Sequence, residues 1–139
     1  MHRTSVPMLW RRFRNKYHLI GTYCEKCKTG FYPPREVCPE CRRGGKIVEK
    51  KFSNYGEIVT YTVISAPPAG FEKGAPYALA IVKMDENGPN VLGQVVDCDF
   101  EKLGMGLRVE TTFRKIYEDG KEGIVQYGLK FMPITHENL

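Results

Sequence analysis

The chain has 139 residues, 42% hydrophobic and 27% charged, which suits one packed domain with a small appendage and argues against wholesale disorder. Its net charge of +5 is uneven: residues 1–51 hold 13 Lys/Arg against 4 Asp/Glu, and residues 52–139 hold 8 against 12. No apolar run reaches the ~18 residues of a membrane span, and Met1–Leu9 lacks the apolar centre of a secretory leader; the expected compartment is the cytoplasm, with no membrane partner.

Residues 6–18 are expected to form a helix. Ser5 can cap it, and Pro7 suits the first turn, where its missing N–H costs nothing. Leu9, Phe13 and Tyr17 recur at spacings of four beside Trp10, giving an apolar-aromatic face, while Arg11, Arg12, Arg14 and Lys16 cover the rest. So small a chain offers this face little to bury against, so it packs on the next module or enters a partner, with the partner favoured.

His18–Tyr23 is predicted as a strand leading into Cys24-Glu25-Lys26-Cys27, with a second pair at Cys38-Pro39-Glu40-Cys41. Each Cys-x-x-Cys folds as a tight turn with backbone N–H groups aimed at its sulfurs, and two such turns present four thiolates at tetrahedral corners, the donor set of structural Zn²⁺. Gly30 permits the intervening turn, Phe31-Tyr32 begins the return strand and Pro33-Pro34 stiffens the approach to the second pair. Two disulfides are the competing reading, disfavoured without an oxidising compartment. Four cysteine ligands leave no position for an activated water, so such a metal folds the segment rather than catalysing. With four thiolates and one Zn²⁺ counted in, the first 51 residues keep a charge of about +7 and attract anions: nucleic acid, nucleotide phosphates or an acidic protein face. A merely solvated basic surface is the plainer reading.

Lys46–Lys51 is expected as a strand running toward the second module, and the module boundary is placed near Lys51, where composition and charge sign change. Five further strands are predicted: Gly56–Ala66; Tyr77–Met84; Val91–Val96 after a turn at residues 85–89; Leu107–Ile116; and an alternating run through Val125, Tyr127, Leu129 and Phe131. A connection over Asp97–Gly106 leaves room for a helical turn. This plan is that of a small Greek-key barrel of OB-fold type, with an open sandwich as the alternative. The expected fold is therefore mainly β: N-terminal helical segment 1–18, rubredoxin-like zinc ribbon 19–51, and five-stranded OB-fold barrel 52–139.

Other chemistry is weak. Cys98 stands between Asp97 and Asp99, which raise its pKa and suit packing better than nucleophilic attack. His2, His18 and His136 form no ligand or triad grouping, and His18 reads as a plain strand residue. Asp97, Asp99 and Glu101 read as a cap for the following turn, and Gly104 and Gly106 lack the residues of a phosphate loop. The Pro-rich segment 66–77 joins the first two barrel strands, where OB-folds often build a ligand surface, and Phe71 and Tyr77 can offer rings there; a covering flap is the bland alternative.

The sequence resembles a family of zinc-ribbon plus OB-fold acyl-CoA-associated proteins, long classed as a domain of unknown function. The resemblance spans nearly the whole chain and rests on a helix with Trp10, Gly21-x-x-Cys24-x-x-Cys27, Phe31-x-Pro33-x-Arg35-x-x-Cys38-Pro39-x-Cys41, Gly56-x-Ile58-x-Thr60-Tyr61-Thr62-Val63, the Phe71 … Pro76-Tyr77 loop and Gly104-Met105-Gly106-x-x-Val109. It is most similar to archaeal members that join acetoacetyl-CoA thiolase to hydroxymethylglutaryl-CoA synthase. The resemblance implies a non-catalytic scaffold around a shared CoA-binding region on the mevalonate route to isoprenoids. It places structural Zn²⁺ on Cys24, Cys27, Cys38 and Cys41. CoA or an acyl-CoA is the further cofactor expectation. Arg35, Phe71, Pro76 and Tyr77 are its contact candidates, chosen by position and chemistry rather than by motif. The rival classes are a single-strand nucleic-acid binder, disfavoured by the acidic barrel, and a stand-alone acyl-CoA-binding module.

Overall fold

The computed structural model describes residues 5–134. Helix α1 runs Val6–His18, and Leu19 ends it in the left-handed region (φ 50°) with its N–H returned to the Asn15 carbonyl. Leu19 is 1% exposed, so the chain reverses around a buried side chain and the next strand begins only at Ile20. The strand expected from His18 therefore starts two residues late, and His18 is helical and exposed. Ser5 caps through its carbonyl, which accepts from Leu9 N–H at 3.1 Å, and its hydroxyl makes no cap bond.

Strands β1 (Ile20–Cys24), β2 (Thr29–Phe31) and β3 (Ile47–Lys51) form a three-stranded antiparallel sheet in the order β2-β1-β3. The Lys46–Lys51 segment is thus an integral strand of the ribbon: β3 pairs with β1 from Ile20↔Lys51 to Cys24↔Ile47. Phe52 follows at once. Its ring lies against Gly21 and Gly30, where an added Cβ would come within 2.8 Å of it, and at Gly21 also within 2.2 Å of the Phe31 carbonyl oxygen. Glycine is needed at both positions because the ring occupies the side-chain space of two adjacent strands. Phe52 N–H donates to Leu19 O at 3.2 Å, so both residues that leave the ribbon turn inward together.

The second module is a closed barrel of β4 (Tyr55–Ile64), β5 (Tyr77–Met84), β6 (Asn90–Val95), β7 (Arg108–Glu118) and β8 (Val125–Pro133), in the order β4-β5-β6-β8-β7. This closed barrel of OB-fold plan replaces the open-sandwich alternative. A short helical turn at Phe100–Lys102 fills the connection after β6, as its length allowed. Leu19 and Phe52 share one core with Ile58, Ala78, Ala80, Val82, Met84, Val91, Val95, Leu103, Val109 and Phe131. Ala78, Ala80 and Gly93 are small where Phe131 is large; a Cβ at Gly93 would come within 2.5 Å of the Phe131 ring.

Two irregularities set the surfaces. A register shift between Ile58 and Thr60 on β4 changes which residues face inward: Ile58 is buried, while Tyr61 and Val63 pair with the buried Ala80 and Ala78 yet remain exposed. β4 meets β7 only over Tyr55–Glu57, so residues 59–64 are paired on one side alone. The β7–β8 hairpin keeps pairing to Glu118↔Val125, well past the pairs that close the barrel, and so projects from it. At the other end, Arg108 makes a forked ion pair with Asp85, Nη1 to Oδ1 at 2.8 Å and Nη2 to Oδ2 at 2.5 Å, tying the β5–β6 turn to β7.

Phe52→Ala is expected to cost about 3–5 kcal/mol and to separate unfolding of the ribbon from that of the barrel, seen as two transitions in urea followed by tyrosine fluorescence and amide exchange. Hydrogen bonds from Arg108 hold the Asp85 carboxyl below its usual pKa. The stabilisation from this depressed carboxyl is present above the ordinary aspartate value of about 4 and is lost as pH falls through the lower folded-state value. Asp85→Asn should therefore cost about 0.5–1 kcal/mol at neutral pH, the range of a well-aligned exposed pair. The deficit should vanish in acid when melts are compared across pH.

Candidate functional site

The two Cys-x-x-Cys turns are built alike. In each, the residue after the second cysteine takes a left-handed backbone, Lys28 at φ 57° and Arg42 at φ 49°. That conformation curls the chain back over its own sulfurs. Glu25 N–H bonds Lys46 O at 2.9 Å, and Arg42 N–H bonds Cys38 O at 2.8 Å, so each turn is latched by backbone. Gly45 passes so close that an added Cβ would lie 3.0 Å from Cys38 Cβ and 3.2 Å from Cys41 Cβ.

The sulfurs of Cys24, Cys27, Cys38 and Cys41 all lie within 4.8 Å of one another, with Cys24 and Cys38 buried. A tetrahedral Zn²⁺ at about 2.3 Å from each sulfur sets neighbouring sulfurs about 3.8 Å apart, and the cluster accommodates that geometry. Cys41 N–H already donates to Cys38 Sγ at 3.4 Å. The thiols do not share one acidity. Backbone N–H from Cys27 draws Cys24 down to about 6, whereas burial and then the neighbouring thiols push Cys41 up to about 12. Four sulfurs this close cannot all ionise without a cation among them; Zn²⁺ offsets that repulsion. The donor set fits a closed structural zinc site.

The four CoA-contact candidates fall in two places. Arg35 belongs to the ribbon: its N–H donates to Thr22 Oγ1 at 2.9 Å, its carbonyl accepts from the same hydroxyl at 3.0 Å, and its guanidinium sits 5.6 Å from the Phe31 ring centre. Phe71 and Tyr77 come together with ring centres 6.5 Å apart, Pro76 immediately preceding Tyr77. Phe71 also meets Tyr117 of the projecting hairpin at 5.9 Å, and Gly70 (φ 94°) lies where an added Cβ would come within 2.7 Å of that ring. Tyr117 is a member of this cluster that the sequence did not single out.

The aromatic face expected on α1 is completed by two hairpin residues that the sequence did not single out, Phe113 and Tyr127. Tyr17 of α1 meets Phe113 of β7 edge-on at 5.0 Å, and Phe113 stacks on Tyr127 of β8 at 5.7 Å and 12°. The helix thus packs on the hairpin as well as on the ribbon, where Arg14 pairs with Glu49 at 2.9 Å. None of its residues is buried, however, and Trp10 is 70% exposed. The helix and hairpin bound a groove of about 460 Å³. The length of the last two strands, longer than a closed barrel requires, was the available signal for it.

The remaining candidates settle into structural positions. Burial, and then the Asp99 charge, raises the Cys98 pKa, and its thiol donates to the Asp99 carbonyl at 3.3 Å, which makes it a poor nucleophile. The acidic cluster forms ion pairs rather than the expected cap: Asp97 with Arg114 at 3.1 Å and Asp99 with Lys102 at 2.9 Å, with no side-chain cap bond on the turn. Among the described residues no helix is long and apolar enough to cross a membrane.

Comparison with known proteins agrees with this geometry. Residues 13–47 match the family described as "ChsH2, rubredoxin-like zinc ribbon domain", and residues 49–114 match "ChsH2, C-terminal OB-fold domain". Proteins named "DUF35 domain-containing scaffold protein" are 46% identical in Methanocaldococcus jannaschii (94% of this chain, 92% of that protein) and 45% identical in Methanothermobacter thermautotrophicus (95% and 98%). A third, from Pyrococcus furiosus, is 43% identical over 94% of this chain and 93% of that protein. Among solved structures, an "Ltp2-ChsH2(DUF35) aldolase" chain shares the fold with a TM-score of 0.65, at 24% identity and 96% coverage of both chains.

Purified chain is expected to carry one zinc by elemental analysis. A strong chelator should abolish the protected amides of β1–β3, because metal-binding free energy is folding free energy in such a segment. Cys24→Ser should lose the metal, and Cys98→Ser should keep it.

Proposed function

Because the chain belongs to the DUF35 family of zinc-ribbon and OB-fold scaffold proteins, we propose that it is a non-catalytic subunit bridging acetoacetyl-CoA thiolase and hydroxymethylglutaryl-CoA synthase. The observation that carries the scaffold reading is 46% identity to a protein named as a scaffold, extending over 94% of this chain. The molecule has the matching surface character. Trp10, Phe13, Tyr17 and Tyr127 line the α1–hairpin groove, and Phe71, Tyr77 and Tyr117 form a second, partly exposed aromatic cluster. Exposed apolar surface rimmed by charge is the mark of a protein–protein contact.

In this reading Cys24, Cys27, Cys38 and Cys41 hold a structural Zn²⁺ that keeps the ribbon rigid. Phe71, Pro76 and Tyr77 offer flat surfaces for the adenine ring of a CoA lying between the enzymes, and Arg35 offers a cation for its phosphates. The condensation of two acetyl thioesters is uphill, so passing acetoacetyl-CoA directly to the next enzyme draws the reaction forward. The setting is the mevalonate route in the cytoplasm.

The test is reconstitution with thiolase and synthase from the same organism. A single ternary species is expected by size-exclusion light scattering, splitting into separate enzymes when the chain is omitted. The chain alone should turn over no acyl thioester. Failure to bind either enzyme, or salt-dependent binding of single-stranded nucleic acid in their place, sinks the proposal.

A further inference from the structure

We propose that the groove between α1 and the β7–β8 hairpin is where an acidic segment of a partner enzyme docks, anchored by a few large apolar side chains. This deepens the scaffold reading and rests on it. The groove is lined by Leu9, Trp10 and Phe13 from the helix and by Ile116, Ile124 and Tyr127 from the hairpin. Its aromatic walls are already fixed against one another: Trp10–Phe13 at 6.2 Å, Phe13–Tyr17 at 5.7 Å, Tyr17–Phe113 at 5.0 Å and Phe113–Tyr127 at 5.7 Å. A preformed apolar site spends little binding energy on ordering, and Trp and Tyr are the side chains that most often dominate such contacts.

The charge on the helical wall selects the occupant, the Glu118 carboxylate near the hairpin tip being already paired with Lys115. Helix α1 carries Arg11, Arg12, Arg14 and Lys16 and no acidic residue. Only Arg14 has a carboxylate partner among the described residues. Lys16 lines both this groove and an adjoining cleft of about 510 Å³ that also holds Arg12 and is walled by Tyr32, Pro33 and Pro34. Apolar anchors and a cationic rim are therefore continuous, which suits a peptide segment with acidic residues flanking its apolar ones.

Other occupants fit less well. A second copy would set one cationic helix against another. An anionic bilayer is flat, whereas the apolar side chains here face each other across a groove. A lone acyl chain would remain largely in water, because Trp10, Phe13, Ile116, Ile124 and Tyr127 are all exposed and small-molecule sites bury most of their ligand.

The chain has a single tryptophan, so 5-fluorotryptophan labelling places one ¹⁹F reporter in the groove. Titration of the labelled chain with the thiolase and then the synthase should shift that resonance with one of them. Trp10→Ala, Ile124→Ala and the double variant Arg12→Glu/Lys16→Glu should each weaken that enzyme's binding at least about tenfold. The charge-reversed variant should also lose most of the salt dependence. Unchanged zinc content and melting point establish that the variants are folded. If the parent binds neither enzyme, the scaffold reading falls and this inference with it. If parent and all variants bind alike, the docking assignment alone is overturned. It is equally overturned if palmitoyl-CoA, anionic vesicles or self-association shifts the resonance while the variants still bind the enzyme normally.

Discussion

The ring of Phe52 is the constraint on which the two modules depend. It fills the side-chain space above Gly21 and Gly30, so the ribbon sheet has a hollow where the first residue after it inserts. The ribbon has little apolar interior of its own; Leu19, Ile20, Cys24 and Cys38 are its buried hydrophobic side chains among the described residues. It is held from one end by the sulfur cluster and from the other by Phe52 and Leu19, which belong equally to the barrel core. The two ends are linked through β1, whose five residues run from Ile20, beside that core, to Cys24 in the cluster.

The projecting hairpin organises the outer surfaces in a comparable way. The helix leans on it through Tyr17 and Phe113, and the Pro-rich loop leans on it through Phe71 and Tyr117. Two surfaces from distant parts of the sequence, the N-terminal helix and the Pro-rich loop, are thereby set on one two-stranded support. A scaffold needs such fixed spacing between its contact faces, and rigid elements supply it more reliably than loops do.

Much of this was legible in the chain itself. The cysteine spacing prescribes two local turns, and local turns need no knowledge of the rest of the fold. Alternation marked the first, fourth and fifth barrel strands, and the aromatic stripe marked α1. What stayed hidden was long-range. The stripe on α1 shows that a partner surface exists but not that Phe113 and Tyr127 supply it. Gly21 stood out within a motif, yet its reason lies in a ring 31 residues later. The shift at Val59 broke the alternation read for β4, because a bulge is invisible to a pattern of period two. Leu19 shows the same limit: nothing in a leucine signals a left-handed turn, and it cost the first strand its expected start. Among the candidate contacts, Phe71 and Tyr77 met because they flank one loop, whereas Arg35 was bound into the ribbon by Thr22.

The half-paired stretch of β4 bears on how the chain lives among its neighbours. Residues 59–64 read Val-Thr-Tyr-Thr-Val-Ile, without a charge or a proline, and edges of that composition recruit further strands. Among the described residues no strand covers this border on its second side, so crowded copies of the chain can add to one another along it. How much of the chain is made at once is then a matter of solubility.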